Sequence, residues 1–151
     1  MPDLSRKPLR QFSLADRLIQ EFDRGLRVVT LQRRTVSAAY PAAAMTEDDL
    51  SLQETLESAR LMRVNHAGEI AAQGLYHGQA LTAHNQETLR QMESSAQEEL
   101  NHLAWCETRL AELQAPRSLL SPFWYSSSYL LGATAGWVGD RWSLGFVAET
   151  E

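Results

Sequence analysis

Between Thr46 and about His84 the chain holds no proline, and a stripe recurs at three- and four-residue steps: Leu52, Leu56, Ala59, Met62, Asn65, His66, Glu69, Gln73, Tyr76 and Ala80. That period is one face of a long α-helix, which stays folded only by laying its stripe against other helices. The stripe begins apolar and turns polar in the middle, where RVNHAGE (63–69) sets an Arg, an Asn, a His and a Glu within two turns. Polar groups that fold inward need partners. Thr46 with Asp49 reads as a capping box opening this helix, and Asn85 as its terminator. Gly68, Gly74 and Gly78 cost about 1 kcal/mol each against Ala, tolerable where a neighbouring helix comes close.

A second helical period runs from about Glu87 to Leu113, with Leu89, Met92, Ala96, Glu99, Leu103, Cys106 and Leu110 inward and His102 beside Glu99 at i+3. The loop before it is short, so the two helices pack antiparallel and let Glu69 and Glu99 face one another. A lone Glu-x-x-His is weak evidence, because a solvated i,i+3 pair on a helix surface gives the same letters. Its place on the apolar stripe, opposite a second mid-stripe carboxylate, favours a metal. Carboxylates with imidazole suit iron or manganese, and four-helix bundles build such sites from one Glu on each of two helices and Glu-x-x-His on the other two.

The chain has 151 residues, enough for one core of four short helices or a small sandwich. Its 44% hydrophobic content excludes a disordered chain, and a mean hydropathy of -0.34 excludes a polytopic membrane protein. A single cysteine, Cys106, forms no internal disulfide, and a cytosolic setting follows. Residues 1–40 carry eight basic against four acidic side chains, and the remainder six against fifteen, which together give the net charge of -5. A basic arm (1–45) on an acidic helical domain (46–151), without aromatic interleaving, argues against nucleic acid and for an anionic lipid surface.

Within the arm, Leu14, Leu18, Ile19, Phe22 and Leu26 fall at helical spacing opposite Asp16, Arg17, Glu21, Asp23 and Arg24. They predict an amphipathic helix, as a packing element first and a lipid-surface helix second. No secretory or organellar leader fits the pattern. Residues 35–45 read as a linker. Ser118 to Gly139 carries no charge; its Gly, Pro and Ser content makes a membrane span doubtful, and Ser121–Pro122 reads as an N-cap and N1 pair. This segment is either a core helix with a small-residue face or one that sets Trp124, Tyr125, Tyr129 and Trp137 at a lipid–water boundary.

The blocks LMRVNHAGEIAAQGLYHGQALTAH (61–84), EELNHLAWCETRL (98–110), SPFWY (121–125) and GFVAETE (145–151) resemble the demethoxyubiquinone hydroxylase family, the carboxylate-bridged di-iron enzymes of ubiquinone biosynthesis. The resemblance implies an all-α, ferritin-like helical bundle that binds two irons in its complete site. It also implies hydroxylation, with O2, of the ring of a polyprenyl benzoquinol by a peripheral enzyme at the cytoplasmic face of the cell membrane. The family pattern is Glu, Glu-x-x-His, Glu, Glu-x-x-His. Matched here, its first members are Glu69, then Glu99 with His102, then Glu151, with Glu149 as the rival for that place. Asn65 and His66 would orient ligands, His66 being equally a buried hydrogen-bonded histidine; Arg63 would pair with a carboxylate such as Glu98, Glu99 or one from a later helix. His77 and His84 read as surface residues and Cys106 as a small core residue. The second Glu-x-x-His is absent from the sequence, so the expectation is a bundle incomplete at its C-terminus, as a fragment or a truncated product. A homo-oligomer or other ubiquinone-biosynthesis proteins are the expected partners. Two other classes remain: a non-catalytic ferritin-like subunit that docks on a membrane or protein, and a ferritin- or rubrerythrin-type iron protein, which the lack of Cys-x-x-Cys disfavours.

Overall fold

A computed structural model describes residues 13–30, 38–46, 49–139 and 145. Four helices form, α1 (Leu14–Thr30), α2 (Leu52–Thr82), α3 (Gln86–Glu112) and α4 (Ser121–Val138), with no strand among the described residues. The architecture is an all-α bundle.

Local side-chain chemistry sets the boundaries. The capping box of α2 is Ser51 with Glu54, where each side chain bonds the other's backbone N–H, and not Thr46 with Asp49, which lie outside the helix. Asn85 starts α3 instead of ending α2: its Oδ1 accepts from the Thr88 backbone at 2.8 Å. The two helices are therefore joined by residues 83–85 and turn back antiparallel. Ser13 and Asp16 repeat the capping logic at α1. At the end of α3, Gln114 takes a left-handed φ of 51° while the Ala115 N–H returns to the Leu110 carbonyl, closing the turn just before Pro116. The cap of α4 is Leu120; Ser121 is already helical, and its hydroxyl donates back to the Ser118 carbonyl.

The central element is α2, flanked by α3 on one side and α4 on the other, with α1 lying across α2 and α4. A helix packed on two flanks buries consecutive residues, and Gln73, Gly74, Leu75 and Tyr76 are all buried. This overrides the single stripe expected. Ile70 is wholly buried although it lies off that stripe, and Leu52 and Leu56 at its start are exposed. One core cluster joins Leu75, Tyr76 and Ala80 to Met92 and Ala96; the other joins Val28, Ile70, Leu103 and Tyr125 across all four helices.

The glycines of α2 act as expected except Gly68, which is exposed with nothing near it. A Cβ on Gly78 would collide with the Tyr129 carbonyl, and one on Gly132 with the Leu75 carbonyl, so α2 and α4 touch backbone to backbone. The small-residue face of α4 is thus its packing face. Its other face exposes Phe123, Leu130, Leu131 and Trp137. None of the described helices is long and apolar enough to cross a membrane.

Candidate metal centre

Mid-α2 and mid-α3 meet where their carboxylates lie. Glu69 from α2 and Glu99 and His102 from α3 each offer a ligand atom, and the three atoms lie within 4.8 Å of one another. Helix geometry accounts for the α3 half, because residues three apart share a face; His102 Nδ1 lies 2.9 Å from Glu99 Oε2. Antiparallel packing brings Glu69 opposite. Gln73, one turn further along α2, fixes that register by donating from Nε2 to the Ala96 carbonyl.

The electrostatics are those of a site short of positive charge. Burial, then a hydrogen bond to Glu99, then the Glu99 charge push the Glu69 carboxyl up to about 8. Glu69 therefore keeps its proton near neutral pH, because burial and the facing carboxyl both disfavour its charged form. A divalent cation among these donors would displace that proton and supply the charge that the pair lacks. Two carboxylate oxygens and one imidazole nitrogen also suit the chemistry of a divalent transition metal. This Glu/Glu/His group could bind a metal.

A cavity of about 400 Å3 opens beside the group, lined by Glu69 and His102 with Met62, Trp105, Cys106 and Arg109, and roofed by Tyr40, Pro41 and Ala42. The roof is part of the stretch read from sequence as a linker. It turns at 41–44, and the Tyr40 hydroxyl donates to Glu112, which also pairs with Arg109. The Trp105 ring lies against His102 with centroids 5.1 Å apart. Cys106 is half-buried, and burial followed by the charges of Glu69 and Glu107 pushes its thiol up to about 11, so it stays protonated and is a poor ligand.

The remaining sequence candidates separate. His66 is buried, but neither ring nitrogen has a hydrogen-bond partner; the Glu107 Oε1 is 3.7 Å from its Nε2. Asn65 is exposed on α2. Arg63 bonds from Nε to the Pro116 carbonyl at 3.0 Å, instead of pairing with Glu98 or Glu99, because the α3–α4 turn passes closer to it. His77, expected at the surface, is half-buried, its Nδ1 2.9 Å from the Tyr125 hydroxyl; His84 is exposed as expected. Tyr125 is buried and Tyr129 half-buried against α1, where its hydroxyl donates to Glu21, whereas Trp124 and Trp137 are exposed. Glu151 and Glu149 lie outside the described residues. Sequence reasoning missed Tyr40, Trp105, Arg109 and Glu107. The spacing of Trp105 and Arg109 from His102 on one helix could have found two of them; nothing local points to Tyr40.

The model of the family of ubiquinone biosynthesis protein COQ7 matches residues 56–151. The chain belongs to this family. Its bundle is therefore of the ferritin-like helical type. The chain is similar to the 3-demethoxyubiquinol 3-hydroxylases of Nitrosococcus oceani, 55% identical over 94% of this chain and 66% of that protein, and of Legionella pneumophila strain Corby, 54% identical over 95% and 68%. It is also similar to that of Psychrobacter cryohalolentis, 47% identical over 95% and 67%. The chain thus spans about two thirds of the length of the curated relatives it matches. No solved structure matches it.

Proposed function

We propose that the chain carries part of an iron centre for hydroxylating the ring of a demethoxyubiquinol-type polyprenyl benzoquinol in ubiquinone biosynthesis, at the cytoplasmic face of the cell membrane. The observation that carries the reading is the convergence of Glu69, Glu99 and His102 from two helices, in a chain of the COQ7 family whose relatives are named 3-demethoxyubiquinol 3-hydroxylase. Glu69, Glu99 and His102 would hold the metal, Glu151 being the further family-matched candidate. Two ferrous ions in a complete site supply the capacity to reduce O2 for insertion of oxygen into the ring. The chain's own residues do the rest. Gln73 fixes the helix register, Trp105 packs on one face of His102, and Tyr40, Pro41 and Ala42 line the cavity beside the donors.

A peripheral membrane position is supported by the exposed Leu18, Ile19 and Phe22 on α1 and by Phe123, Leu130 and Trp137 on α4. The lipid-surface alternative for α1 thereby gains over the packing helix, since Leu18, Ile19, Phe22 and Leu26 of its apolar stripe are exposed. Titration of the metal-free chain with ferrous iron under anaerobic conditions tests the centre. Wild type should bind, and Glu99→Ala should lose tight binding while keeping its helix content. Unchanged iron stoichiometry in that variant would sink the assignment. Sedimentation with anionic vesicles tests the surface: Leu130→Ser with Leu131→Ser should cut salt-resistant binding, and a chain that stays in the supernatant at every ionic strength refutes it.

A further inference from the structure

Besides the three-donor group, the structure holds a second polar cluster that none of the proposed ligand chemistry uses. His66 sits three residues before Glu69 on α2 and is 1% exposed, with both ring nitrogens lacking a hydrogen-bond partner. Its Nε2 is 3.7 Å from Oε1 of Glu107, whose side chain is 10% exposed. The same Oε1 lies 3.0 Å from Nη1 of Arg117, which belongs to the turn between α3 and α4. Arg63, one turn before His66, fastens that turn to α2 through the Pro116 carbonyl. The Glu107 charge reaches the half-buried Cys106, which also feels Glu69, so the two polar groups share one neighbour.

A carboxylate this buried is stable only where its charge is compensated, and Arg117 does so from a segment that α2 also holds. The turn of α2 that carries His66 and Glu69 is thereby tied to α3 at Glu107, five residues beyond His102. We propose that Glu107, compensated by Arg117, is a positioning residue that acts through His66 to hold Glu69 at ligand distance from Glu99 and His102. This rests on the metal reading of the previous subsection and adds to it the support behind the ligands.

The test uses Co(II) as probe, because its visible bands report ligand geometry as well as occupancy. Glu107→Gln keeps shape and removes charge; His66→Leu removes both ring nitrogens. Each should weaken Co(II) binding roughly 10- to 100-fold and shift the visible bands, with helix content retained. Because they act along one route, the double variant should lose little more than the worse single. Arg117→Lys, which keeps the charge without the planar fork, should recover most of the affinity that Arg117→Met loses. A Co(II) spectrum and affinity equal to wild type in Glu107→Gln, or fully additive losses in the double variant, would overturn the proposal while leaving the metal reading intact. So would a fall in thermal stability without spectral change, which marks a structural tie only. A wild-type chain that binds no Co(II) or ferrous iron would overturn both.

Discussion

The two flanks of α2 pack by opposite means. Toward α4 the contact is backbone on backbone, with Gly74 and Gly78 against the carbonyls of Tyr125 and Tyr129, and Gly132 against that of Leu75. Toward α3 the contact is made by side chains, and Gln73, Glu69 and His66 reach across to Ala96, Glu99 and Glu107. A glycine contact has no room to adjust and sets one helix rigidly on another. Side-chain packing leaves space between the axes, and only there can donor atoms converge on a cation. The close flank fixes the bundle, and the open flank carries the chemistry.

Breaking the close flank should therefore cost most in stability. Gly132→Val places a branched side chain into the Leu75 carbonyl, with no flexible atom to give way. Overpacking of this kind costs about 3 kcal/mol or more, which lowers the melting temperature by roughly 6–12 °C in a domain of this size. Gly68→Ala, on the same helix with nothing near its Cβ position, is the control and should be neutral to stabilising. Thermal melts followed by circular dichroism would decide; equal losses at the two positions would end the comparison.

That contrast also marks what the sequence made legible. Two of the three candidate donors were readable because Glu69 and Glu99 sit on helical periods that call for an apolar residue, and His102 followed only from its i+3 spacing to Glu99. The helix count and the antiparallel α2–α3 pair followed from periodicity and a short loop. The arrangement around α2 did not, because burial on two flanks erases the amphipathic signal over Gln73 to Tyr76. The glycines of α2 were readable as close-approach sites, but only the placement of α4 separates Gly74 and Gly78 from Gly68. Glu107 resembles any solvated helical glutamate until the α3–α4 turn delivers Arg117 to it. Tyr40 is equally silent, being brought to the cavity from a segment with no period of its own.

Breaking the open flank should cost binding while sparing the fold. Glu69→Gln is isosteric and removes one of two facing carboxyls; it should abolish tight ferrous iron binding and leave the melting temperature of the metal-free chain at neutral pH unchanged or raised, since a neutral amide needs no proton to occupy that site. Calorimetric titration paired with a melt checks both halves. A variant that binds iron as wild type does would remove Glu69 from the site.

The same pair predicts a pH dependence confined to that flank. The Glu69 carboxyl ordinarily titrates near 4.5 and is held at about 8 in the fold. Between those values the folded chain keeps a proton that the unfolded chain has released. The resulting contribution is complete below about 4.5 and is lost as pH rises through about 8. The metal-free chain should lose stability across that window, and Glu69→Gln should flatten the slope. Metal binding should release a proton below about 8 and tighten as pH rises. Denaturant melts from pH 5 to 8.5 would show the slope; a wild-type curve parallel to that of Glu69→Gln would contradict the raised Glu69 carboxyl.

The smallest expected effect lies at α1, which belongs to neither flank and separates local from global stability. One polar tie between α1 and the bundle is the Tyr129 hydroxyl, donating to Glu21 at 3.3 Å, a long bond at a half-buried site. Tyr129→Phe keeps the ring stacked on Tyr125 and removes only that bond, worth about 0.5–1 kcal/mol. Global melting should shift by no more than about 4 °C. The effect belongs to amide hydrogen exchange: α1 should exchange faster, while α2 and α3, whose packing does not involve this hydroxyl, should keep their protection. Faster exchange in α3 as well would mean that α1 unfolds only with the bundle, and that the aromatic contacts of Tyr125 with Gly25 and Val28, not the hydroxyl, hold it in place.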